Sequence, residues 1–483
     1  MGRLSFLVVA FLLAWTGAAQ AKPGLLVGVT EDGLKFEPDA ALEDARELGI
    51  GAFRITLRWH PGLTAPTAAQ AEELEGATAG ASDVAIVLSV FGERAVHAPS
   101  TQDRQNQYCG FLREIVRRYE RIRYVSIWNE PNKTFFWTPQ FNPDGSSAAP
   151  RAYAALLARC WDALHQARSD IRVIAPTTAP RGNDNPNAVS NVSHSPTAFV
   201  RELGRAYGES GRDAPIFDVV GHHVHGIHSA ERPWRSHPGT GVTQGDLNKL
   251  QQAFSAAFAG TAQPVPGRCV NEKCVPVWWL EAGFQTKPDK AKASLYTGFE
   301  ISPRPLPDST GDVALEPFPE SNSLAPDQAT QIVSALRLAY CQPHVEAFFN
   351  FLLWDEQRLE GWQSAPYWFD RTPKGSFAAF RRAIKEVADG DVECGRVDRA
   401  VKEAEAAKER QQTDRRDGAA PDSPTREPRA GEPSDGEGTA RASGDRGERD
   451  EDGAPAWLLA TAATGAALLA GGGVAYAWRR RRL

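Results

Sequence analysis

The sequence predicts a (β/α)8 TIM barrel, chiefly because two kinds of segment alternate along it. Short apolar runs alternate with amphipathic stretches of helical length from residue 24 to residue 395 of the 483-residue chain. Several runs are rich in Val, Ile, Phe and Trp without clean alternation, as in parallel strands buried on both faces. Eight strand–helix units in about 370 residues fit such a barrel. A doubly wound sheet is the alternative, but no glycine-rich phosphate loop follows the first strand.

The predicted barrel occupies residues 22–395, and its elements are read from the periodicity of apolar residues. The predicted strands are Leu25–Thr30, Ala52–Arg58, Val84–Phe91, Tyr124–Asn129, Val173–Pro176, Phe217–His223, Val277–Glu281 and Ala347–Trp354. The clearest predicted helices are Asp103–Tyr119, Arg151–Ala167, Pro196–Tyr207, Leu247–Phe258, Asp327–Tyr340 and Ser376–Val387.

The first residues have the pattern of a secretory signal peptide, which we place at residues 1–21. Arg3 precedes the apolar run Leu4–Trp15, and Ala19 and Ala21 fit the small-x-small cleavage pattern. An uncleaved anchor is the alternative, but the apolar run is shorter than the ~20 residues that span a bilayer. We therefore expect the protein to be exported.

All six cysteines follow the predicted cleavage site, and an even number in an exported chain favours disulfide bonds. Cys269 and Cys274 enclose a short polar loop and form the obvious local pair. A barrel would place the other four on two pairs of adjacent helices, although other connectivities stay open: Cys109 with Cys160, and Cys341 with Cys394. A zinc site is disfavoured, because no second Cys or His pair has finger-like spacing.

The composition changes after the barrel. Residues 396–453 carry many charged residues, Gly, Pro and Ser but few large apolar side chains, which predicts a disordered linker. Residues 454–478 are apolar, uncharged and long enough to cross a bilayer, with aromatic residues near both ends, and a basic tail follows at residues 479–483. These features predict a single-pass protein of the cell membrane with an extracellular barrel and a cytoplasmic tail. A buried or amphipathic helix is the alternative, since the segment is rich in Gly and Ala.

The formal net charge of −6 gives no reason to expect a nucleic acid partner. The chain shows neither a phosphate-binding loop nor a nucleophile elbow, so we predict no cofactor and disfavour non-sugar chemistry on the barrel.

The first candidate catalytic motif is Ile127-Trp128-Asn129-Glu130-Pro131-Asn132, at the end of the fourth predicted strand. In a TIM barrel, polar residues at the carboxyl ends of strands face the active site. Glycoside cleavage needs an acid that protonates the leaving oxygen and later activates water. Glu130 suits that role, and Asn129 could bind the sugar 2-hydroxyl. A strand-ending turn with a solvated glutamate is the alternative.

The second motif is an apolar strand, the seventh, that ends in Glu281. In a barrel, strands four and seven can direct their ends to one central cleft. Two carboxylates about 5–5.5 Å apart perform double displacement with retention. Because Glu130 and Glu281 occur together, the pair is more specific than either glutamate alone.

WNEPN at strand four and WLEAGFQT at strand seven together resemble the large TIM-barrel clan of retaining glycoside hydrolases, over about residues 24–390. NEPNKTFFWTP and DVVGHHVHG resemble exported members related to cellulases and β-xylosidases. The resemblance implies that Glu130 is the acid/base and Glu281 the nucleophile. It also implies that Arg54 keeps the nucleophile ionised, and that His223 and Trp354 line the sugar site.

Several of these assignments have structural alternatives. Arg54 could belong to a buried ion pair, and Trp354 could pack in the core. Trp59 and Trp137 lie just past predicted strand ends, where an aromatic face can stack on a sugar ring. We therefore expect both to bind substrate, with core packing as the alternative.

The segment HHVHGIH contains several histidines around His223. It lacks a matched carboxylate, and its spacing points side chains to alternate faces of a strand, so we predict no metal site. His225 stands where relatives in the clan carry a tyrosine that hydrogen-bonds the nucleophile. We include His225 in the substrate site and leave open whether it replaces that tyrosine.

The sequence thus predicts a cell-surface retaining glycosidase that acts on an extracellular polysaccharide or oligosaccharide. The alternative is a surface carbohydrate-binding barrel with weak or no activity. Glu130 and Glu281 favour the enzyme, whereas the departure at His225 favours the alternative slightly.

Overall fold

A computed structural model describes residues 24–308, 326–399, 401–403 and 406, and it confirms the predicted TIM barrel. Eight parallel strands alternate with helices. The strands are β1 (Leu26–Thr30), β2 (Ala52–Trp59), β3 (Ala85–Gly92), β4 (Ile122–Ile127), β5 (Arg172–Ile174), β6 (Val220–His223), β7 (Val277–Ala282) and β8 (Val345–Phe351).

The strands follow the order β5-β4-β3-β2-β1-β8-β7-β6, which leaves β5 and β6 at the two ends of the sheet. An isolated parallel bridge between Ile174 and Val219 joins these ends. Two backbone hydrogen bonds of 3.0 Å continue the seam, from Ala175 N to Val219 O and from His223 N to Thr178 O. The sheet therefore closes on itself, and its strand ends meet around one cleft.

Helices pack around the outside of the barrel. They are α1 (Gly33–Phe36), α2 (Pro38–Leu48), α3 (Ala68–Thr78), α4 (Gln102–Arg118), α5 (Ala149–Ala167), α6 (Pro196–Glu209), α7 (Leu247–Ala257), α8 (Gln328–Cys341) and α9 (Phe377–Asp389). Several begin at a side-chain cap: Thr67 forms a capping box with Gln70 at α3, and the side chains of Ser195 and Asp327 cap α6 and α8. These caps satisfy N–H groups that have no partner within the helix.

The alternation of side chains along the strands separates two apolar layers. In β2, Ala52 belongs to a cluster inside the barrel, whereas Phe53 and Ile55 belong to the larger cluster between the strands and the helices. Inside the barrel, Trp278 stacks on Phe349 with ring centroids 6.0 Å apart. Because side chains alternate between the two faces of a strand, Arg54 faces the barrel interior like Ala52 and lies above this apolar layer.

All three expected disulfide bonds are present. Cys109 in α4 is bonded to Cys160 in α5, and Cys269 is bonded to Cys274 across its short loop. The third bond ties Cys341, the last residue of α8, to Cys394 beyond α9. The barrel prediction therefore identified the correct pairs, because it placed the cysteines on neighbouring helices.

The predicted signal peptide, transmembrane segment, basic tail and nearly all of the predicted linker lie outside the described residues. Within the described part of the chain, no helix combines the length and apolar character needed to cross a membrane. Helical residues 394–399 follow α9, and Val397 is buried in a small cluster with Trp234 and Leu338.

Candidate active site

Glu130 stands in a tight turn directly after β4. Trp128 and Glu130 both have positive φ angles, of 64° and 39°, which non-glycine residues rarely adopt. The turn is held by its surroundings: the backbone N–H of Trp128 donates to the Tyr108 hydroxyl, and that of Glu130 donates to the carbonyl of Thr177 at 3.0 Å. The backbone is therefore strained at the turn that places the Glu130 carboxyl at the mouth of the barrel.

Glu281 lies near the end of β7 and pairs with Arg54 from β2. Nη1 of Arg54 is 2.6 Å from Oε1 of Glu281, and the arginine side chain is 1% exposed. Nη2 of the same guanidinium donates to Ser89 Oγ at 3.0 Å and to Asn129 Oδ1 at 2.8 Å. One buried cation thus holds the candidate nucleophile and the amide beside the candidate acid in a fixed relation.

His223 links the two glutamates. Its Nδ1 is 2.9 Å from Oε1 of Glu130 and 3.3 Å from Oε2 of Glu281. Burial holds the pKa of His223 well below its usual range, although the Glu281 charge opposes the shift. Burial therefore favours the neutral ring, whose Nδ1 lies within hydrogen-bonding distance of both carboxyl groups.

His225 reaches the other side of Glu281. Its Nε2 is 3.4 Å from Oε2 of the carboxylate, a longer contact than the one made by Arg54. The imidazole lies against Trp362, with ring centroids 4.7 Å apart, and against Phe351 at 5.8 Å. His225 thus occupies the position at which a hydrogen-bond donor to the nucleophile was expected.

The two glutamates experience opposite environments. Burial raises the pKa of Glu130, and the charge of Lys133 only partly offsets this. Burial would also raise the pKa of Glu281, but its interactions with His223, Arg54 and His225 outweigh this effect, so the pKa of Glu281 falls below its usual value. Glu130 therefore tends to keep its proton while Glu281 stays ionised, which is the division of roles between an acid and a nucleophile.

One oxygen each from Glu130 and Glu281 and one ring nitrogen of His223 lie within 4.8 Å of one another. Among the described residues, this is the one group of three or more His, Cys, Asp or Glu side chains close enough to hold a metal ion. Nδ1 of His223 contacts both carboxyl groups, whereas its Nε2 is buried and has no hydrogen-bond partner among the described residues.

Trp59 and Trp137 are not placed to bind a sugar, so those two expectations are wrong. Both are 0% exposed. Trp59 packs edge-on against Trp128, and Trp137 packs edge-on against Trp128 and Tyr153. The two indoles form the wall behind the Glu130 turn and offer no free face to a ligand.

Trp354 also departs from the expectation that it floors the sugar site. β8 ends at Phe351, and Leu352 turns the chain with a φ of 77°. The Trp354 indole then points to α2, where Nε1 donates to Asp44 at 2.7 Å, and the Arg371 guanidinium lies 5.1 Å from its ring. Its surroundings are those of a residue that joins β8 to α2.

Trp362, and not Trp354 as predicted, is the tryptophan that lies beside His225 and hence close to Glu281. It is half-buried, and its ring contacts both His225 and Phe351. Its backbone N–H donates to Oε2 of Glu356 at 2.8 Å. Burial is the main cause that raises the pKa of Glu356 to about 8; the hydrogen bond from Trp362 opposes the shift, and the nearby charges of Glu31 and Asp355 contribute to it. Neither residue was predicted from the sequence, because both belong to a loop beyond the last strand.

The fold and the site thus define a TIM-barrel protein with a paired-glutamate site at the ends of β4 and β7. No family model and no curated protein matches the chain. Solved structures are similar to it at low identity. The GH39 enzyme from Xanthomonas axonopodis pv. citri is 17% identical, with a TM-score of 0.45 over 75% of this chain and 67% of that one.

Two further solved structures show the same level of similarity. A glucosidase from Croceicoccus marinus is 12% identical, with a TM-score of 0.48 over 76% of this chain and 68% of that one. A monomeric beta-xylosidase from Caulobacter crescentus CB15 is 17% identical, with a TM-score of 0.44 over 74% of this chain and 67% of that one.

Proposed function

We propose that the protein is a retaining glycoside hydrolase that cleaves O-glycosidic bonds of an extracellular polysaccharide or oligosaccharide by double displacement. The observation that carries the proposal is the pairing of Glu130 and Glu281. Their carboxylate oxygens approach within 4.8 Å, and their pKa values are shifted in opposite directions. This close approach supports a retaining mechanism, in which the two carboxyl groups stand about 5–5.5 Å apart.

In the first step, the ionised Glu281 attacks the anomeric carbon, and the C–O bond to the leaving sugar breaks. Glu130 gives its proton to the departing oxygen, so the leaving group departs as an alcohol. Burial, which keeps Glu130 protonated, and Arg54, which keeps Glu281 ionised, prepare both groups for this step. The product is a glycosyl ester on Glu281.

In the second step, Glu130 is a carboxylate and removes a proton from water. The water oxygen bonds to the anomeric carbon, the ester bond to Glu281 breaks, and Glu130 regains its proton. Once Glu281 is esterified, its negative charge is gone. The neutral His223, which bridges both glutamates, can then donate to Glu130 and stabilise it as the base.

Asn129 completes the site beside the reacting carbon. Its Oδ1 accepts from Arg54 at 2.8 Å, which fixes the orientation of the amide. The Nδ2 group can then donate to the sugar hydroxyl next to the anomeric carbon, a contact that strengthens in the transition state. Fixing the amide before substrate arrives lowers the reorganisation needed during catalysis.

The test is to trap the intermediate in the full chain. A library of 2-deoxy-2-fluoro glycosyl fluorides, which form but do not release glycosyl esters, is incubated with wild type and with Glu281→Gln. We expect one sugar configuration to add a single label to the wild type, located on Glu281 by peptide mass spectrometry, and no label on the variant. If no configuration labels Glu281 and no glycan is hydrolysed, the protein is an inactive carbohydrate-binding barrel instead.

We further propose that the enzyme acts outside the cell and is held there by residues 454–478. The pairing of all six cysteines supports an oxidising compartment. Protease added to intact cells should cut within residues 411–452 and release a barrel-sized fragment. Protection of the whole chain in intact cells, with cleavage only after lysis, would rule out this location.

A further inference from the structure

Two cations, Lys133 and Arg181, lie near Glu130 and are joined to each other by a hydrogen bond. Lys133 follows the catalytic turn, and its backbone N–H donates to the carbonyl of Glu130 at 3.0 Å. Arg181 lies beyond β5, and its Nη1 donates to the carbonyl of His225 at 2.8 Å. Nζ of Lys133 in turn donates to the carbonyl of Arg181 at 3.3 Å. Both side chains are half-buried and tied to the carboxyl ends of β4, β5 and β6.

Neither cation makes a direct ion pair. Among the described residues, no carboxylate lies within 4.0 Å of the charged nitrogens of Lys133 or Arg181, and their bonds go to backbone carbonyls. Glu231 is near Arg181 but is otherwise engaged: its Oε1 pairs with His237 at 2.8 Å, and its Oε2 accepts from the backbone of Ile227 at 2.7 Å. Two partly desolvated positive charges without an anion in direct contact are costly, and an anionic ligand would supply that contact.

Lys133 belongs to the turn that carries Glu130, and its Nζ joins Arg181 to that turn. Burial lowers the pKa of Lys133 and of Arg181; Glu130 opposes the shift at Lys133, and Glu231, more than Glu130, opposes it at Arg181. The groups that chiefly lower the pKa of Glu281 are instead His223, Arg54 and His225. The pair therefore belongs to the Glu130 side of the cleft. Because Glu130 protonates the glycosidic oxygen, the sugar on this side is the leaving sugar.

We propose that Lys133 and Arg181 bind an acidic group, a carboxylate or a sulfate ester, on the sugar that leaves, so that the substrate is an anionic glycan. This inference rests on the proposed function. Arg181 can use its remaining N–H groups for a planar or tetrahedral anion, and Lys133 adds a point charge from the other side. The acidic group of the bound substrate then provides the direct ion pair that Lys133 and Arg181 lack in the free protein.

The first experiment uses two aryl glycosides of whichever sugar the enzyme accepts. Their phenols are matched in acidity, and only one carries a carboxylate at the meta position. We expect kcat/KM of the full-length wild type to favour the carboxylate by about 10- to 100-fold, the worth of one or two hydrogen bonds to a charged group. The Lys133→Ala/Arg181→Ala variant should lower this ratio towards one, whereas Lys133→Arg keeps most of it.

A matched control removes a cation elsewhere. Lys385 is exposed on α9 and pairs with Asp389 four residues later, so Lys385→Ala changes the net charge without touching the cleft. Its carboxylate preference should equal that of wild type. If the two cations only tune Glu130, the double variant alters both substrates by the same factor and the ratio stays unchanged, which overturns the proposal. An equal kcat/KM for both substrates in wild type overturns it as well.

The second experiment does not need turnover. Full-length Glu281→Gln is applied to an array that holds neutral oligosaccharides, oligosaccharides with uronic acid, and sulfated oligosaccharides. We expect salt-sensitive binding to one acidic class, about 10- to 100-fold stronger than to neutral glycans and lost with Lys133→Ala/Arg181→Ala. The class that binds identifies carboxylate or sulfate. Equal binding of neutral and acidic glycans overturns the anion site, whereas absent turnover with intact acidic binding overturns only the hydrolase function.

Discussion

Nη1 of Arg54 lies 2.6 Å from Oε1 of Glu281, while Nη2 of the same guanidinium lies 2.8 Å from Oδ1 of Asn129. The ionisation of Glu281, the proposed nucleophile, and the orientation of the Asn129 amide therefore depend on one side chain. The charge of Arg54 and its ability to make two hydrogen bonds at once can be tested separately. A lysine at this position keeps the charge but cannot make both contacts.

Arg54→Lys should lower kcat/KM by about 10- to 1,000-fold, the scale of losing one preorganised hydrogen bond in a catalytic site. The acidic limb of its pH profile should stay close to that of wild type. Arg54→Met, which removes the charge, should in addition move that limb to higher pH, because the arginine charge lowers the pKa of Glu281. Identical pH profiles for the two variants would contradict this role.

The two glutamates should respond differently to the leaving group. Glu281→Ala removes the nucleophile and should abolish turnover on every substrate. Glu130→Ala should retain more activity on glycosides with good leaving groups, which need little acid assistance, and azide should restore part of the turnover by attacking the glycosyl-enzyme. Equal losses without azide rescue in both variants, measured on a series of aryl glycosides, would reverse this assignment.

His225 should contribute through its contact with Glu281. His225→Phe removes the donor and should lower kcat/KM by about 10- to 1,000-fold, with the 3.4 Å contact favouring the lower end. His225→Tyr restores a donor at the same place and should keep much of the activity. Wild-type kcat/KM in His225→Phe would show that the histidine is a bystander.

Glu356 should make stability depend on pH. Its pKa of about 8 in the fold lies above its usual value of 4.5, so the folded state keeps a proton that the unfolded state loses. Its contribution to stability is therefore full below about pH 4.5 and falls as the pH rises to about 8. Glu356→Gln should raise Tm by a few degrees relative to wild type at pH 8 and by little at pH 4. A Tm difference that does not vary with pH would argue against a neutral Glu356.

Trp59 and Trp362 should separate stability from binding. Trp59 is fully buried, so Trp59→Ala should destabilise the protein by about 3–5 kcal/mol, measured by denaturant unfolding. Trp362→Ala should instead raise KM, because the half-buried indole lies beside His225 at the cleft. Trp59→Phe, which preserves most of the packing, should leave KM near the wild-type value. A raised KM in Trp59→Phe would indicate that Trp59 does contribute to substrate binding.

The sequence predicted the barrel well because most strands are largely buried runs of limited length, rich in apolar residues. The predicted Ala52–Arg58 corresponds to β2 (Ala52–Trp59), and the predicted Pro196–Tyr207 to α6 (Pro196–Glu209). Glu130, Glu281, Arg54, Asn129, His223 and His225 come together as expected. All but Arg54 lie near the end of a parallel strand or shortly after it, and Arg54 reaches Glu281 and Asn129 from within β2.

The tryptophans were harder to predict, for reasons visible in the backbone. Arg54 faces inward, so Trp59, an odd number of residues later on the same strand, must face the helices. This error could have been avoided from the sequence. The turn at Leu352 could not, because its positive φ follows from the surrounding loop, and it redirects Trp354 to Asp44. Contacts made by Trp362 in a long loop likewise depend on tertiary structure.

The bond between Cys341 and Cys394 has a mechanical consequence. The closed covalent loop contains β8 and α9, while the chain that leaves the barrel begins after Cys394. A pull on that outgoing chain passes through the sulfur atoms to the end of α8 and bypasses α9. The last strand and the last helix therefore cannot be peeled off in sequence by tension, and force applied to the tail is resisted by the barrel as a whole.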